Sequence, residues 1–323
     1  MMTKNNIALN VYDPAYISKL ATESVERAKN DPDYLRTGIQ VLDDHYVMQR
    51  PRKVNGILGY TSHGKTSFMY ILARHAVTQL RENEIIIYAT WEDSIEDFGL
   101  NWIAATSQIP VASLYHGDLS EADWKKMLKA AAERAATPLW AVGHSEFNSR
   151  RNRLTMTDLF EALAYIVDAQ GKKIRAIYID YLQRINRDDI SYKSTRSEFV
   201  EIMDKVKDLA MQFNTCAVIG SQARRQVRDR TWKQPQDNDA QETSNFEQTC
   251  DGIITLWLPY KTEKIGECLV EKRNPEDKAI FVTPRLMLIQ TAKQKRGVAP
   301  VLRAVDFHPE TNEIRPYTSE YKP

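Results

Sequence analysis

The sequence predicts an α/β protein with a mostly parallel central sheet and helices on both faces. Two observations carry that expectation. From about Gly38 onward, short apolar runs of strand length alternate with helical patterns. Within that alternation, Gly59-Tyr60-Thr61-Ser62-His63-Gly64-Lys65-Thr66 fits G-x-x-x-x-G-K-[ST] at every fixed position, directly after a strand and before a helix.

The elements follow in chain order. Asp13-Pro14 reads as a helix start, since aspartate caps and proline fits the first turn. Ile17, Leu20, Ala21, Ser24, Val25 and Ala28 then repeat at helical spacing until Asn30-Asp31-Pro32. Residues 1–35 are expected to form an N-terminal segment with this helix, and residues 36–323 one larger domain. Residues 54–58 read as a short buried strand, and Ser67 to Ala73 begin the helix after the glycine-rich loop. Further strands are expected at 85–89, 139–142, 174–179, 215–220, 253–258 and 286–289, which complete the set. Helices are expected at 97–105, 121–136, 156–170 and 198–213. Residues 260–284 look like an inserted loop or hairpin to which the sequence assigns no function.

Composition excludes several classes. The chain has 323 residues, 42% hydrophobic and 27% charged, an ordinary balance with enough apolar residue for a sizeable core. No apolar run reaches the length of a membrane span, and Met1 to Asn6 are too polar for a signal peptide. Cys216, Cys250 and Cys268 are odd in number and widely spaced, which favours a cytoplasmic protein over a disulfide framework or zinc site. The six histidines do not cluster at metal-ligand spacing. With a formal net charge of +1, any nucleic acid must meet a local basic surface.

The glycine-rich loop specifies its ligand. Its backbone curls so that N–H groups point at phosphate oxygens, Lys65 reaches the β- and γ-phosphates, and the Thr66 hydroxyl is a magnesium ligand. The nucleotide-binding set is Gly59, Thr61, Ser62, His63, Gly64, Lys65, Thr66 and Ser67, and the cofactors implied are ATP and Mg²⁺. The His63 side chain is read as facing solvent. Ligands of such sheets sit at the carboxyl ends of strands, which directs attention to three of them. Ile177-Tyr178-Ile179-Asp180 ends in a carboxylate. Many strands do, but an upstream phosphate loop makes Asp180 a strong candidate for the metal shell opposite Thr66. Past another strand, Glu92 is the candidate base for the attacking water, whereas Asp93 is read as capping the next helix. Gln222 ends a third strand, where its amide could sense a γ-phosphate or simply satisfy loop backbone.

Together these motifs resemble the replicative DNA helicases of the DnaB family, within the RecA-like ATPases. Asp180-Tyr181-Leu182-Gln183 stands like that family's Asp-Tyr-Leu-Gln, and Thr90-Trp91-Glu92 falls where it has Ser-Leu-Glu. Ser221-Gln222-Ala223-Arg224 looks like its Ser-Gln-Leu-Asn-Arg with a residue missing. Asn245-Phe246-Glu247-Gln248 with Asp251, and Ala292-Lys293-Gln294-Lys295-Arg296-Gly297, are similar to two later elements. The likeness runs from about residue 14 to 316. It implies a RecA-like ATPase domain in a homohexameric ring, ATP between subunits and single-stranded DNA in the channel. Residues 14–30 would be the linker helix that docks on a neighbour, and a helicase loader or primase are implied partners.

Three departures modify the expectation. Lys293 matches the family's trans-acting lysine, but Lys295 stands where arginine is expected and Arg296 follows, so the finger is either of these two. In the DNA-facing loop, Asp239-Ala240-Gln241-Glu242 has Gln241 in place of arginine, and Arg224, Arg225, Arg228, Arg230 and Lys233 upstream could compensate. Only a short segment precedes the linker helix, too little for the family's N-terminal collar. The reading is therefore an ATP-driven, ring-forming helicase on single-stranded DNA in replication. Its rivals are a RecA-like recombination or regulatory ATPase that binds DNA without unwinding it, and a module that uses ATP only to assemble.

Overall fold

The computed structural model describes residues 12–30, 33–45, 49–144, 154–185, 195–241, 244–271, 279–295 and 297–318. They fall into two compact units divided between Tyr34 and Leu35. In the first, helix α1 (Pro14–Asn30) starts where Asp13 Oδ1 accepts the Tyr16 N–H at 2.9 Å. Its Ile17, Leu20 and Val25 are exposed.

The second unit is built on a sheet whose parallel part is β1 (Val54–Gly59), β2 (Glu84–Thr90), β3 (Leu139–Val142), β4 (Lys173–Asp180), β5 (Cys216–Gln222) and β6 (Gly252–Trp257). Their spatial order is β6-β1-β5-β4-β2-β3. A small antiparallel pair, β7 (Cys268–Val270) and β8 (Ile280–Phe281), follows β6 in sequence and lies outside this sheet. The chain then returns to the β6 edge through β9 (Leu286–Gln294), β10 (Val301–His308) and β11 (Glu313–Pro316), all antiparallel to their neighbours.

Side-chain alternation explains the layers. On β4, Ile177 and Ile179 point into one apolar core, with Leu159, Leu163 and Ile166 of α7 (Met156–Gln170) and Met203, Val206 and Leu209 of α8 (Thr195–Gln212). Ala176 and Tyr178 point into the other, with Phe68, Met69 and Leu72 of α3 (Lys65–Val77) and Phe98 and Trp102 of α4 (Ile95–Ser107). Shorter helices α2 (Gln40–Asp43), α5 (Val111–His116) and α9 (Ser244–Thr249), with the longer α6 (Glu121–Ala135), complete the described set. A strand buried on both faces reads as a continuous apolar run, which is why 85–89 and 174–179 were legible. The expectation that strands end near residue 289 is corrected. β10 and β11 are only half-buried and carry Arg303, Asp306 and Arg315, so they lack that apolar signature.

Candidate nucleotide-binding and hydrolysis site

Strand β1 delivers Gly59 to the loop, and Gly64 ends it in the left-handed region at φ 79°. The left-handed conformation favours glycine there, and a Cβ on Gly64 would also crowd Met287 Cε at 3.0 Å. Thr61, Ser62, Gly64, Lys65, Thr66 and Ser67 line a cavity of about 300 Å³ together with Glu92 and Gln222. His63 does not share this cavity, and the reading that it faces solvent is corrected. Its ring is buried at 1% exposure, and Nδ1 accepts the Leu258 N–H at 3.0 Å. Burial, with the cations Lys261, Arg228 and Lys65 nearby, pushes its pKa down to about 3. His63 therefore ties the phosphate loop to the end of β6 as a neutral acceptor.

Lys65 is also buried, and its Nζ donates to the Tyr60 carbonyl of the same loop at 3.0 Å. Burial lowers its pKa to about 8, against the pull of Asp180 and Glu92. A desolvated ammonium of this kind gains much from an anionic ligand. Asp180, at 0% exposure, accepts the Tyr88 hydroxyl on Oδ2 at 2.9 Å, while Oδ1 has no hydrogen-bond partner. Burial raises its pKa to about 6, the Thr66 and Tyr88 hydroxyls pull it down, and Asp93 and Glu92 push it up. An orphaned carboxylate oxygen beside a threonine hydroxyl is a donor set that a hard divalent cation satisfies. The residues present fit the metal.

Glu92 reaches the same cavity with its carboxylate 3.9 Å from Arg184. The reading of Asp93 as a helix cap is corrected: Ser94 caps α4 by accepting the Asp97 N–H. Asp93 instead lies beside Thr66 and Tyr88 in a smaller cavity, and burial, then Glu92 and Asp97, raise its pKa to about 6.

Gln222 stands across the cavity. Its Nε2 donates to Thr61 Oγ1 at 3.1 Å, and its backbone N–H donates to Gln183 Oε1 at 3.2 Å. On its other side its carbonyl accepts the Gln241 N–H at 2.8 Å, with Ala223 bridged to Ala240. Glu242 and Arg296 lie outside the described residues.

The basic stretch is less open than its sequence suggests. Arg224 Nε donates to the Ala240 carbonyl, Arg230 makes a two-pronged pair with buried Asp239 at 2.8 and 2.7 Å, and Lys233 pairs with Glu263. Arg228 lies 4.8 Å over the Tyr60 ring. Arg225 is exposed and makes no such contact among the described residues. Trp232 packs edge-on against Trp257 at 5.4 Å.

Lys293 and Lys295 are brought to the opposite end of the sheet from the phosphate loop. Lys295 Nζ binds Asp251 Oδ1 at 3.1 Å, and Asp251 also accepts the Val54 N–H, five residues before Gly59. That separation is roughly 16 Å of strand. Lys53 and Lys207 also bind Asp251, and Lys293 Nζ donates to the Glu247 carbonyl.

Sequence reasoning missed two site residues. Tyr88 orients Asp180 from inside an apolar strand, where the only signal was a tyrosine among isoleucines. Lys261, in the 260–284 region, lines the cavity and donates to the Ser62 carbonyl.

Comparison with known proteins identifies the family and the fold. The family model described as DnaB-like helicase C terminal domain matches residues 35–312. The replicative DNA helicase DnaC of Bacillus subtilis is 25% identical over 240 residues, covering 73% of this chain and 49% of that protein. A solved structure described as an ATPase domain superposes with a TM-score of 0.75 at 18% identity, covering 95% of this chain and all of that one. A DnaB-like replicative helicase, solved in a study of its interactions with primase, superposes with a TM-score of 0.74 at 18% identity, covering 95% of this chain and 68% of its own. The chain spans about half the length of the curated relatives it matches. No described helix is long and apolar enough to cross a membrane. With a phosphate loop, a strand-end Asp180 and Gln222 held on a RecA-like sheet, and a family model matched along most of its length, this chain belongs to the DnaB-like helicase C-terminal domain family.

Proposed function

We propose that this chain is the motor of an ATP- and Mg²⁺-dependent helicase that assembles as a hexameric ring and moves along single-stranded DNA during replication in the cytoplasm, with a loader or primase as partner. The observation that carries the reading is Gln222. Its side chain holds the phosphate loop through Thr61, while its carbonyl holds the 239–241 loop through Gln241.

In this mechanism the phosphate loop N–H groups and Lys65 cradle the triphosphate, and Lys65 exchanges the Tyr60 carbonyl for phosphate oxygens. Thr66 and Asp180 would hold Mg²⁺, which would supply positive charge to offset that of the phosphates. Glu92 takes the proton of the attacking water. Gln222 exchanges Thr61 for the γ-phosphate, so its strand end moves when that phosphate leaves. Lys293 and Lys295 sit too far from this subunit's own loop to serve it, and in a ring they face a neighbour's nucleotide. DNA phosphates are contacted by Arg225 and the 239–241 loop.

The test compares ATPase rates with and without single-stranded DNA, alongside unwinding of a forked duplex. A helicase shows both stimulation and unwinding. Stimulation with filaments and no unwinding would make it a recombination-type ATPase, and neither response would make it an assembly module.

A further inference from the structure

The face of the sheet covered by α3 and α4 carries a second group of donors that the nucleotide reading does not use. Trp102 is 8% exposed and Tyr70 is 3% exposed, yet the indole Nε1 and the phenol oxygen have no hydrogen-bond partner. Two guanidinium carbons, those of Arg74 and Arg134, each lie 5.4 Å from the centre of the Trp102 ring. Neither arginine has an ion-pair or hydrogen-bond partner among the described residues. Burial lowers the pKa of both; Tyr70 opposes the shift in each, and Glu313 also opposes it in Arg74.

Aromatic faces explain where these cations rest. Arg134 also lies 5.4 Å from the Phe98 ring, and Tyr70 meets Phe98 and Trp102 edge-on. A cation over a ring uses its π face and leaves the N–H groups in the guanidinium plane unspent. The cluster therefore offers two guanidiniums and an indole N–H as donors, and the Tyr70 phenol oxygen is the one group among them that can also accept. Buried donors in native proteins are almost always paired, so such a set calls for an acceptor from outside. Arg74 and Trp102 open onto a cavity of about 590 Å³, which is room for a small ligand. Its two carboxylates make no ion pair with Arg74, although Glu313 is near enough to favour its charged form. Glu313 is held by Arg315 at 2.7 Å and Gln108 at 2.8 Å, and Glu133 is exposed.

We propose that Arg74 and Trp102, with Arg134 on the same indole ring, form a binding site for a phosphate-bearing small molecule in a cavity that the phosphate loop does not line. Phosphate is the class that fits, because it presents several charged acceptor oxygens to the guanidinium and indole donors and takes arginine in two-pronged geometry. The site sits on the helix that begins with Lys65 and Thr66, with Tyr70 one turn from Thr66 and Arg74 one turn further. Its occupancy would bear on the phosphate-loop helix without touching the nucleotide.

The probe is inorganic phosphate, titrated at constant ionic strength against chloride, with the phosphate loop filled by Mg²⁺ and a non-hydrolysable ATP analogue. A Lys65→Ala background repeats the titration, so the outcome does not hang on nucleotide binding. Tryptophan fluorescence and the melting temperature are read together. Wild type is expected to give a saturable change with a midpoint on the order of millimolar. The Arg74→Gln/Arg134→Gln double variant should bind at least about tenfold more weakly. Arg303→Gln removes an arginine on β10 that does not line this cavity, and should keep the response. Without phosphate the double variant should still fold and melt cooperatively, because neither arginine makes a hydrogen bond or ion pair among the described residues. No saturable response in wild type, or an equal one in the double variant, overturns the site. If the double variant instead loses ring assembly while phosphate binds neither protein, the occupant is a neighbour's carboxylate, and the proposal fails.

Discussion

Gln241 donates its backbone N–H to the carbonyl of Gln222 at 2.8 Å, and the Gln222 side chain is bonded to Thr61 of the phosphate loop. One residue therefore spans the nucleotide cavity and the loop proposed to meet DNA. Gln222→Ala should cut only the nucleotide half of that span, because the backbone bond to Gln241 survives. ATPase without DNA should fall modestly, and its stimulation by single-stranded DNA should be lost. The check is the ratio of the two rates. A variant that keeps the wild-type ratio would show that the signal takes another route.

The hydrolytic residues separate by substitution. Lys65→Ala removes the cation at the phosphates and should abolish both tight nucleotide binding and turnover. Glu92→Gln keeps the cradle and removes the base, so the nucleotide should still bind while turnover drops about a hundredfold or more. Equilibrium binding of a fluorescent nucleotide and steady-state phosphate release measure the two effects. Normal turnover by Glu92→Gln would place the base elsewhere.

How much of this was legible depended on how each residue is held. The phosphate loop and Asp180 could be read because their chemistry fixes residue type and order along the chain. Tyr88 could not, because its role depends on β2 lying beside β4 with Tyr88 level with Tyr178, a register no local pattern encodes. His63 was misread for a related reason. Its ring accepts the Leu258 N–H, which comes from 195 positions away. Asp93 lost its capping role to the neighbouring Ser94, a choice that turns on backbone geometry rather than on residue preference.

The cations at the far end of the sheet give a test of subunit exchange. Lys295→Ala should leave nucleotide binding by dilute subunits unchanged and lower turnover in the assembled protein at least about a hundredfold. Mixing it with Glu92→Gln creates some interfaces free of both lesions, so partial activity should return. Lys53→Ala removes another partner of Asp251 and serves as the control for mere disturbance of that carboxylate. Failure of the mixture to recover would mark Lys295 as structural.

DNA binding should divide the basic stretch by partner. Arg225 is exposed and uncommitted among the described residues, so Arg225→Ala should weaken all sequences alike and reduce the salt slope by about 0.7, as for one single-strand phosphate. Arg230→Ala should act on stability first, since it strands Asp239, which is 3% exposed, without its two-pronged partner. Salt titrations of oligonucleotide binding, with melting curves for both variants, separate the cases. An unchanged slope in Arg225→Ala would shift the contact to the 239–241 loop.

The last prediction concerns acid. His63 ordinarily titrates at 6.5 and is pushed down to about 3 in the fold, so the unfolded chain binds its proton more readily than the folded one. The stabilisation is fully present above pH 6.5. It declines as pH falls toward about 3, at up to about 1.4 kcal/mol per pH unit. The neutral ring accepts the Leu258 N–H through Nδ1, a role the imidazolium cannot fill. Glutamine can offer a carbonyl oxygen there without a titrating proton, so His63→Gln should fold and lose this share of the acid sensitivity. Melting temperatures of wild type and His63→Gln, taken between pH 4.5 and 8, should diverge as pH falls, with the variant melting relatively higher in acid. Parallel curves would mean that His63 charges freely in the folded protein, and that the phosphate loop is not anchored to β6 through a neutral ring.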